Sequence, residues 1–168
     1  MGKDPLDFLL DLLMSEENDP TAIYHSMTEQ NMVKILKLPY SSIGSDSAVR
    51  APDGPLGTGK PHPRVYGCFP RVLQLVREKN IMTIEEAVQK MSAAPANAAG
   101  ISDRGIIRVG AFADIVVFDP DKVADTATYT EPHSFSVGIQ HVIVNGVVAV
   151  RGGEITGARA GKVLKRES

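Results

Sequence analysis

Leu6, Leu9, Leu10, Leu13 and Met14 recur three and four residues apart. That spacing predicts an amphipathic helix with one apolar stripe, which Asp4 caps and Pro5 opens. After a turn at residues 18–20, residues 21–27 read as a strand, and Thr28 caps a helix that runs to about Leu38 and stops at Pro39. Residues 40–45 read as a second short strand, and residues 46–64 as a long loop rich in glycine and proline. Two helices follow. One carries Phe69, Val72, Leu73 and Val76 on a single face, and the other opens with the capping box Thr83 to Glu86.

From about Gly105 the period changes from helical to alternating. Residues 115–118, 142–144 and 147–150 read as strands, the last two joined by Asn145-Gly146, a dipeptide that favours the tight turn of a hairpin. A turn at Gly152-Gly153 leads to a further strand at residues 154–156, making a small antiparallel meander. The first part has a different grammar, helix alternating with strand, which belongs to a parallel sheet with crossover helices. The fold expected is therefore α/β in two parts. Two parallel strands are a quarter of an eight-stranded barrel, which takes roughly 250 residues, so unpaired strand edges are expected to invite a second copy or another chain.

Composition narrows the classes of partner. The 168 residues are 43% hydrophobic and 23% charged, with a formal net charge of -2, as in an ordinary globular domain. Basic residues are scattered, so neither nucleic acid nor a membrane surface is an expected partner. Cys68 stands alone, which excludes an internal disulfide and a cysteine zinc knuckle and makes the cytoplasm the expected compartment. The apolar run at residues 8–14 is broken by Asp11, unlike the core of a signal peptide.

Several residues carry candidate chemistry. Asp46, in Gly44-Ser45-Asp46-Ser47, lies where a strand is expected to end and a loop to begin. There a carboxylate can hold a proton for a metal-activated water, or simply close a turn. In Pro61-His62-Pro63-Arg64-Val65-Tyr66-Gly67 two prolines stiffen the backbone before an arginine. A guanidinium aimed in this way suits a carboxylate, although pairing with a nearby acid is the plain alternative. Residues 54–60 place glycines and Lys60 as a phosphate-binding loop does, but Pro61 occupies the magnesium-binding Ser/Thr position. The segment reads as a flap. His25, inside the first expected strand, can face a barrel interior as a ligand but reads rather as a half-buried, hydrogen-bonded histidine, and His133 and His141 have no partner at ligand spacing, so no complete metal site is expected, with Asp46 a possible ligand. Cys68 precedes an apolar helix face and reads as a packing residue.

Three stretches together resemble the N-acyl-D-amino-acid deacylases of the amidohydrolase superfamily. They are Ile43-Gly44-Ser45-Asp46, the run from His62 through Gly67-Cys68-Phe69-Pro70-Arg71 to Leu73, and the run from Arg104-Gly105 through Ala113-Asp114-Ile115-Val116-Val117-Phe118-Asp119 to Gly146. The Ala-Asp-Ile-Val-Val-Phe-Asp stretch is shared across the superfamily, whereas the His-Pro-Arg-x-Tyr-Gly-x-Phe-Pro-Arg stretch is similar to this branch in particular. The resemblance implies the C-terminal part of such an enzyme. Residues 1–100 would be the last two strand-helix units of a TIM barrel, and residues 101–168 strands of a small β-sandwich. It also implies that Asp46 is the catalytic acid/base and that Arg64 holds the α-carboxylate of an N-acyl-D-amino acid, with His62 and Tyr66 beside it on the substrate. Zinc is implied for the intact family enzyme and none for this chain alone, whose isolated form is expected to be inactive. Two other readings remain open: a non-catalytic, self-associating module, and part of a cyclic-amide hydrolase of the dihydroorotase kind.

Overall fold

A computed structural model describes residues 2–16 and 26–165. The chain divides into two compact units, residues 1–32 and 33–168. The first contains helix α1, Pro5–Ser15, whose start follows the expected chemistry: the Asp4 carboxylate accepts from the Leu6 N–H and Pro5 stands in the first turn. Helix α2, Glu29–Leu36, starts after Thr28, whose hydroxyl accepts from the Asn31 N–H at 3.3 Å.

In the second unit come α3 (Arg64–Lys79), α4 (Ile84–Met91) and α5 (Ala93–Ala98), then strands β1 (Ile115–Phe118), β2 (Ile139–Val144), β3 (Val147–Arg151) and β4 (Glu154–Ile155). The strands form one antiparallel sheet in the order β1-β2-β3-β4, the expected meander. Asn145 and Gly146 take φ of 49° and 81° between β2 and β3, the left-handed values that a two-residue hairpin requires.

The Tyr40–Ser45 expectation fails. Residues 41–50 form no strand, and of the segment expected at residues 21–27 only Ser26 and Met27 are described, neither in a strand. Exposure does alternate residue by residue from Ser41 to Ala48, the strand signature that the sequence carries. Without a neighbouring ladder that signature cannot become a sheet. The segment is instead held by the end of α4: Ile43 donates to the Lys90 carbonyl at 3.0 Å, and the Lys90 ammonium donates to the Leu38 and Ser41 carbonyls. Among the described residues no parallel pairing occurs, and the four strands make a single sheet.

The buried apolar residues lie mainly along one face of α3, namely Val72, Leu73, Leu75 and Val76, joined by Ile81, Ala87 and Val123. Pro70 sits inside this helix and cannot donate to the carbonyl one turn back. That carbonyl, of Tyr66, accepts instead from the Ser136 hydroxyl at 3.3 Å. Further along, Arg77 donates to the carbonyls of Pro120 and Val123, at 2.9 and 2.8 Å. The segment at residues 119–138 is thereby fastened along the length of α3. None of the described helices is long and apolar enough to cross a membrane.

Candidate active site

Helix α3 begins at Arg64, with Pro63 as its cap residue. Arg64 Nη2 lies 2.9 Å from Asp46 Oδ2. Asp46 adopts a left-handed φ of 48°, a conformation that aspartate tolerates better than most residues. The two sequence candidates therefore meet. They also form the base of the loop at residues 46–64, within which Gly54–Gly57 makes a short 3-10 turn. The Asp46 side chain is 88% exposed and that of Arg64 44%, so an incoming carboxylate can reach the fork that Asp46 occupies.

His62 and Tyr66 stand on either side of Arg64, each with a partner about 67 residues away. His62 Nδ1 accepts from the Arg64 N–H at 3.1 Å, which leaves its proton on Nε2 to be donated to the Tyr129 hydroxyl at 3.0 Å. Burial, then the neighbouring Arg64 charge, hold the His62 pKa below the ordinary imidazole value. His133 Nε2 lies 2.9 Å from the Gly59 carbonyl, which can only accept, so His133 Nδ1 accepts from the Tyr66 hydroxyl at 3.0 Å. Lys60 adds a hydrogen bond to the Thr130 carbonyl at 2.8 Å. The flap is thus clasped to residues 129–133 by three side chains. Nothing local in the sequence announces His133 or Tyr129 as partners, because the pairing exists only once α3 is packed.

A close approach fixes the helix beneath this cluster. A Cβ added at Gly67 would lie 1.8 Å from Asp125 Oδ1, so only glycine admits the carboxylate there. Asp125 in turn accepts from the Ala127 N–H at 2.9 Å. Cys68 is half-buried, and burial raises its thiol pKa. A raised value leaves little thiolate, the nucleophilic form, and supports the packing role expected for it.

Zinc chemistry needs about four ligands, three of them from protein in a catalytic site. Among the described residues no three His, Cys, Asp or Glu side chains gather in that way, and the Asp46 carboxylate is turned to Arg64. These residues do not make a zinc site by themselves. His141 lies on β2, its Nδ1 accepting from the Gly152 N–H at 3.4 Å, while His25 falls outside the described residues. What the assembled groups present is a guanidinium already paired with one carboxylate and open to solvent.

Residues 47–150 match the model of the amidohydrolase family. The chain is 43% identical over 148 residues to an N-acyl-D-glutamate deacylase from Alcaligenes xylosoxydans xylosoxydans, covering 88% of this chain and 29% of that protein. It is 42% identical to a D-aminoacylase of the same organism, covering 86% and 29%, and 41% identical to its N-acyl-D-aspartate deacylase, covering 85% and 28%. The chain thus spans under a third of the length of these relatives. A solved D-aminoacylase structure superposes with a TM-score of 0.74 at 40% identity, covering 83% of this chain and 28% of that one. The N-acyl-D-glutamate deacylase of Bordetella bronchiseptica, solved with zinc and a phosphonate mimic of the tetrahedral intermediate, superposes at 0.70 and 40% identity, over 89% and 34%. The chain belongs to the amidohydrolase family.

Proposed function

We propose that this chain supplies the carboxylate-gripping and proton-transferring part of an N-acyl-D-amino-acid deacylase, which splits the amide to a carboxylate and a free D-amino acid. The observation that carries the reading is the contact of Asp46 with Arg64 at 2.9 Å, two groups joined at the base of one loop and open to a ligand. The family match and the three deacylase relatives support it. In this reading the substrate α-carboxylate displaces Asp46 from the Arg64 fork. Asp46, so released, takes a proton from the attacking water and passes it to the amide nitrogen as the C–N bond breaks. His62 and Tyr66 brace the site on either side of Arg64. The attacking water and the zinc ligands come from outside the described residues, and the 168-residue chain alone turns over no substrate.

The architectural part of the proposal is that residues 1–100 correspond to the last two strand-helix units of a TIM barrel and residues 101–168 to strands of a β-sandwich. The alternating exposure of residues 41–48 supports the first, since it is the pattern of a strand lacking its neighbours. The compartment proposed is the cytoplasm, where a single thiol such as Cys68 stays reduced.

Binding tests the reading without requiring turnover. N-Acetyl-D-leucine and its carboxamide differ only in the charge that Arg64 would hold. Titrated into the isotopically labelled chain, the acid is expected to shift the Arg64 side-chain resonances and the amide to leave them in place. Arg64→Gln should abolish the difference. Equal binding of acid and amide to the unsubstituted chain defeats the proposal.

A further inference from the structure

Lys90 stands in the last turn of α4 and is half-buried, yet among the described residues no acid pairs with it. Glu86, one turn earlier, is committed to the capping box with Thr83. The Lys90 ammonium gives its three donors to neutral oxygens instead: the Leu38 carbonyl, the Ser41 carbonyl at 3.2 Å and the Ser41 hydroxyl at 3.1 Å. Its own carbonyl, one of those a helix leaves open at its C-terminus, accepts from the Ile43 N–H at 3.0 Å. Both ends of one residue therefore grip residues 38–43, just before the chain reaches Asp46. We infer that Lys90 is a positioning residue, which through residues 38–43 sets the backbone that carries Asp46 to Arg64. The inference rests on the reading of that pair given above and adds to it the group that prepares it.

The pair cannot place itself. Both of its side chains are open to water, and an ion pair of that kind contributes too little to hold a loop in one conformation. Asp46 also keeps a φ of 48°, which persists only where the flanking chain is fixed. On the Arg64 side α3 does the fixing. On the Asp46 side no strand ladder does, because residues 41–50 form none. To this segment α3 adds the Cys68 thiol, a weak donor, at 3.7 Å from the Gly44 carbonyl. Exposure alternates from Ser41 to Ala48, as in extended chain, which has little slack to absorb a shift at Ser41 before it reaches Asp46.

The charge of Lys90 fits this role. A half-buried ammonium without an acid is costly unless its hydrogen bonds are complete, so the three acceptors hold it to one arrangement. The Leu38 carbonyl lies just past the C-terminal end of α2, the negative end of a helix, which favours a cation there. A neutral side chain of the same length would fill the space and exert neither hold.

The test reads the pair itself. In the isotopically labelled 168-residue chain, Asp46→Asn should displace the Arg64 Nε–H resonance, because the carboxylate leaves the fork. Lys90→Met, which removes the ammonium and keeps a long side chain, should displace it in the same direction, and Asp46→Asn added to that variant should move it little further. N-Acetyl-D-leucine should bind Lys90→Met roughly two- to fivefold more tightly than the unsubstituted chain, the weight of one exposed ion pair, because its carboxylate no longer has to displace Asp46. A general loss of structure would weaken binding instead, and that result overturns the inference. So does a folded Lys90→Met in which Arg64 keeps its resonance and responds to Asp46→Asn as before. If Lys90→Met does not fold, Ser41→Ala decides, since it removes one of the three acceptors: a shift of the Arg64 resonance toward its Asp46→Asn position supports the inference, and an unmoved resonance overturns it. Absence of N-acetyl-D-leucine binding to the unsubstituted chain and to every variant defeats the deacylase reading, while the Arg64 resonance still decides the role of Lys90.

Discussion

Protonation of His62 is opposed first by burial and then by the Arg64 charge, and it would also break the hydrogen bond that Nδ1 accepts from the Arg64 N–H. The folded imidazole is therefore the weaker base, and the unfolded chain takes up its proton first, near pH 6.5. This contribution to stability is complete above the unfolded value and is lost as pH falls through 6.5 toward the lower folded value. Urea unfolding at stepped pH should show that loss as pH falls below about 6.5, and His62→Gln should flatten it. A second residue-scale prediction concerns Gly67. Its alanine variant must push Asp125 off its turn, because the Asp125 carboxylate already fills the space a methyl group needs. We expect a loss of about 1–3 kcal/mol by denaturant titration, the usual range for overpacking. The combination with Asp125→Ala should lose less than the sum of the two single variants. The approach of Asp125 to Gly67 cannot be read from the sequence, because a constraint between residues so far apart has no local signature.

At the scale of elements, the parts legible in sequence were those whose chemistry is local. The Asp4 cap, the Thr83–Glu86 box and the Asn145-Gly146 hairpin each satisfy their own backbone within a few residues, and each stands where the sequence places it. Residues 40–45 failed because a strand is a relation to a neighbour, and the period-two pattern says nothing about whether the neighbour is there. The same distinction applies to the site. Asp46 and Arg64 could be named from motifs, whereas their meeting, the His133 clasp and the Lys90 contacts depend on packing across the chain.

The start of the sheet is governed by another non-local device. Arg104 pairs with Asp114, donates to Asn145 Oδ1 at 2.6 Å and lies 4.1 Å over the Phe112 ring, while Asp114 accepts from the Asn145 N–H at 2.8 Å. Burial alone would raise the Asp114 pKa, but the Asn145 N–H and the Arg104 guanidinium outweigh it and hold the carboxyl below its usual range. The clamp is therefore complete above the ordinary carboxylate pKa and fails only as pH falls through the depressed value. The Arg104 side chain is 11% exposed, so Arg104→Ala leaves Asp114 and Asn145 without their partner in poor contact with water. A loss of about 2–3 kcal/mol is expected in denaturant unfolding, smaller than for a fully buried pair because Asp114 keeps the Asn145 N–H.

For the whole molecule the deciding quantity is how much apolar surface the chain leaves in water. Within the second unit Ile107, Val109, Phe112 and Phe135 are among the large apolar side chains left exposed, and Phe69 and Leu73 of α3 face Val116, Phe118 and Ile139 of the sheet across a cavity of about 1180 Å³. β1 stands at the sheet edge, with Val116 and Val117 51% and 40% exposed. An edge with free backbone donors and acceptors next to open apolar surface is the arrangement that recruits another strand. The 168-residue chain in isolation is therefore expected to self-associate, its weight-average mass rising with concentration in sedimentation equilibrium. Val117→Lys, on the face of β1 turned away from that cavity, puts a charge on the edge without touching Asp46, Arg64 or the flap, so it should shift the curve toward the monomer while N-acetyl-D-leucine binding stays unchanged. A chain that sediments as a monomer at high concentration refutes this account, because such a surface would then be stable in water without a cover.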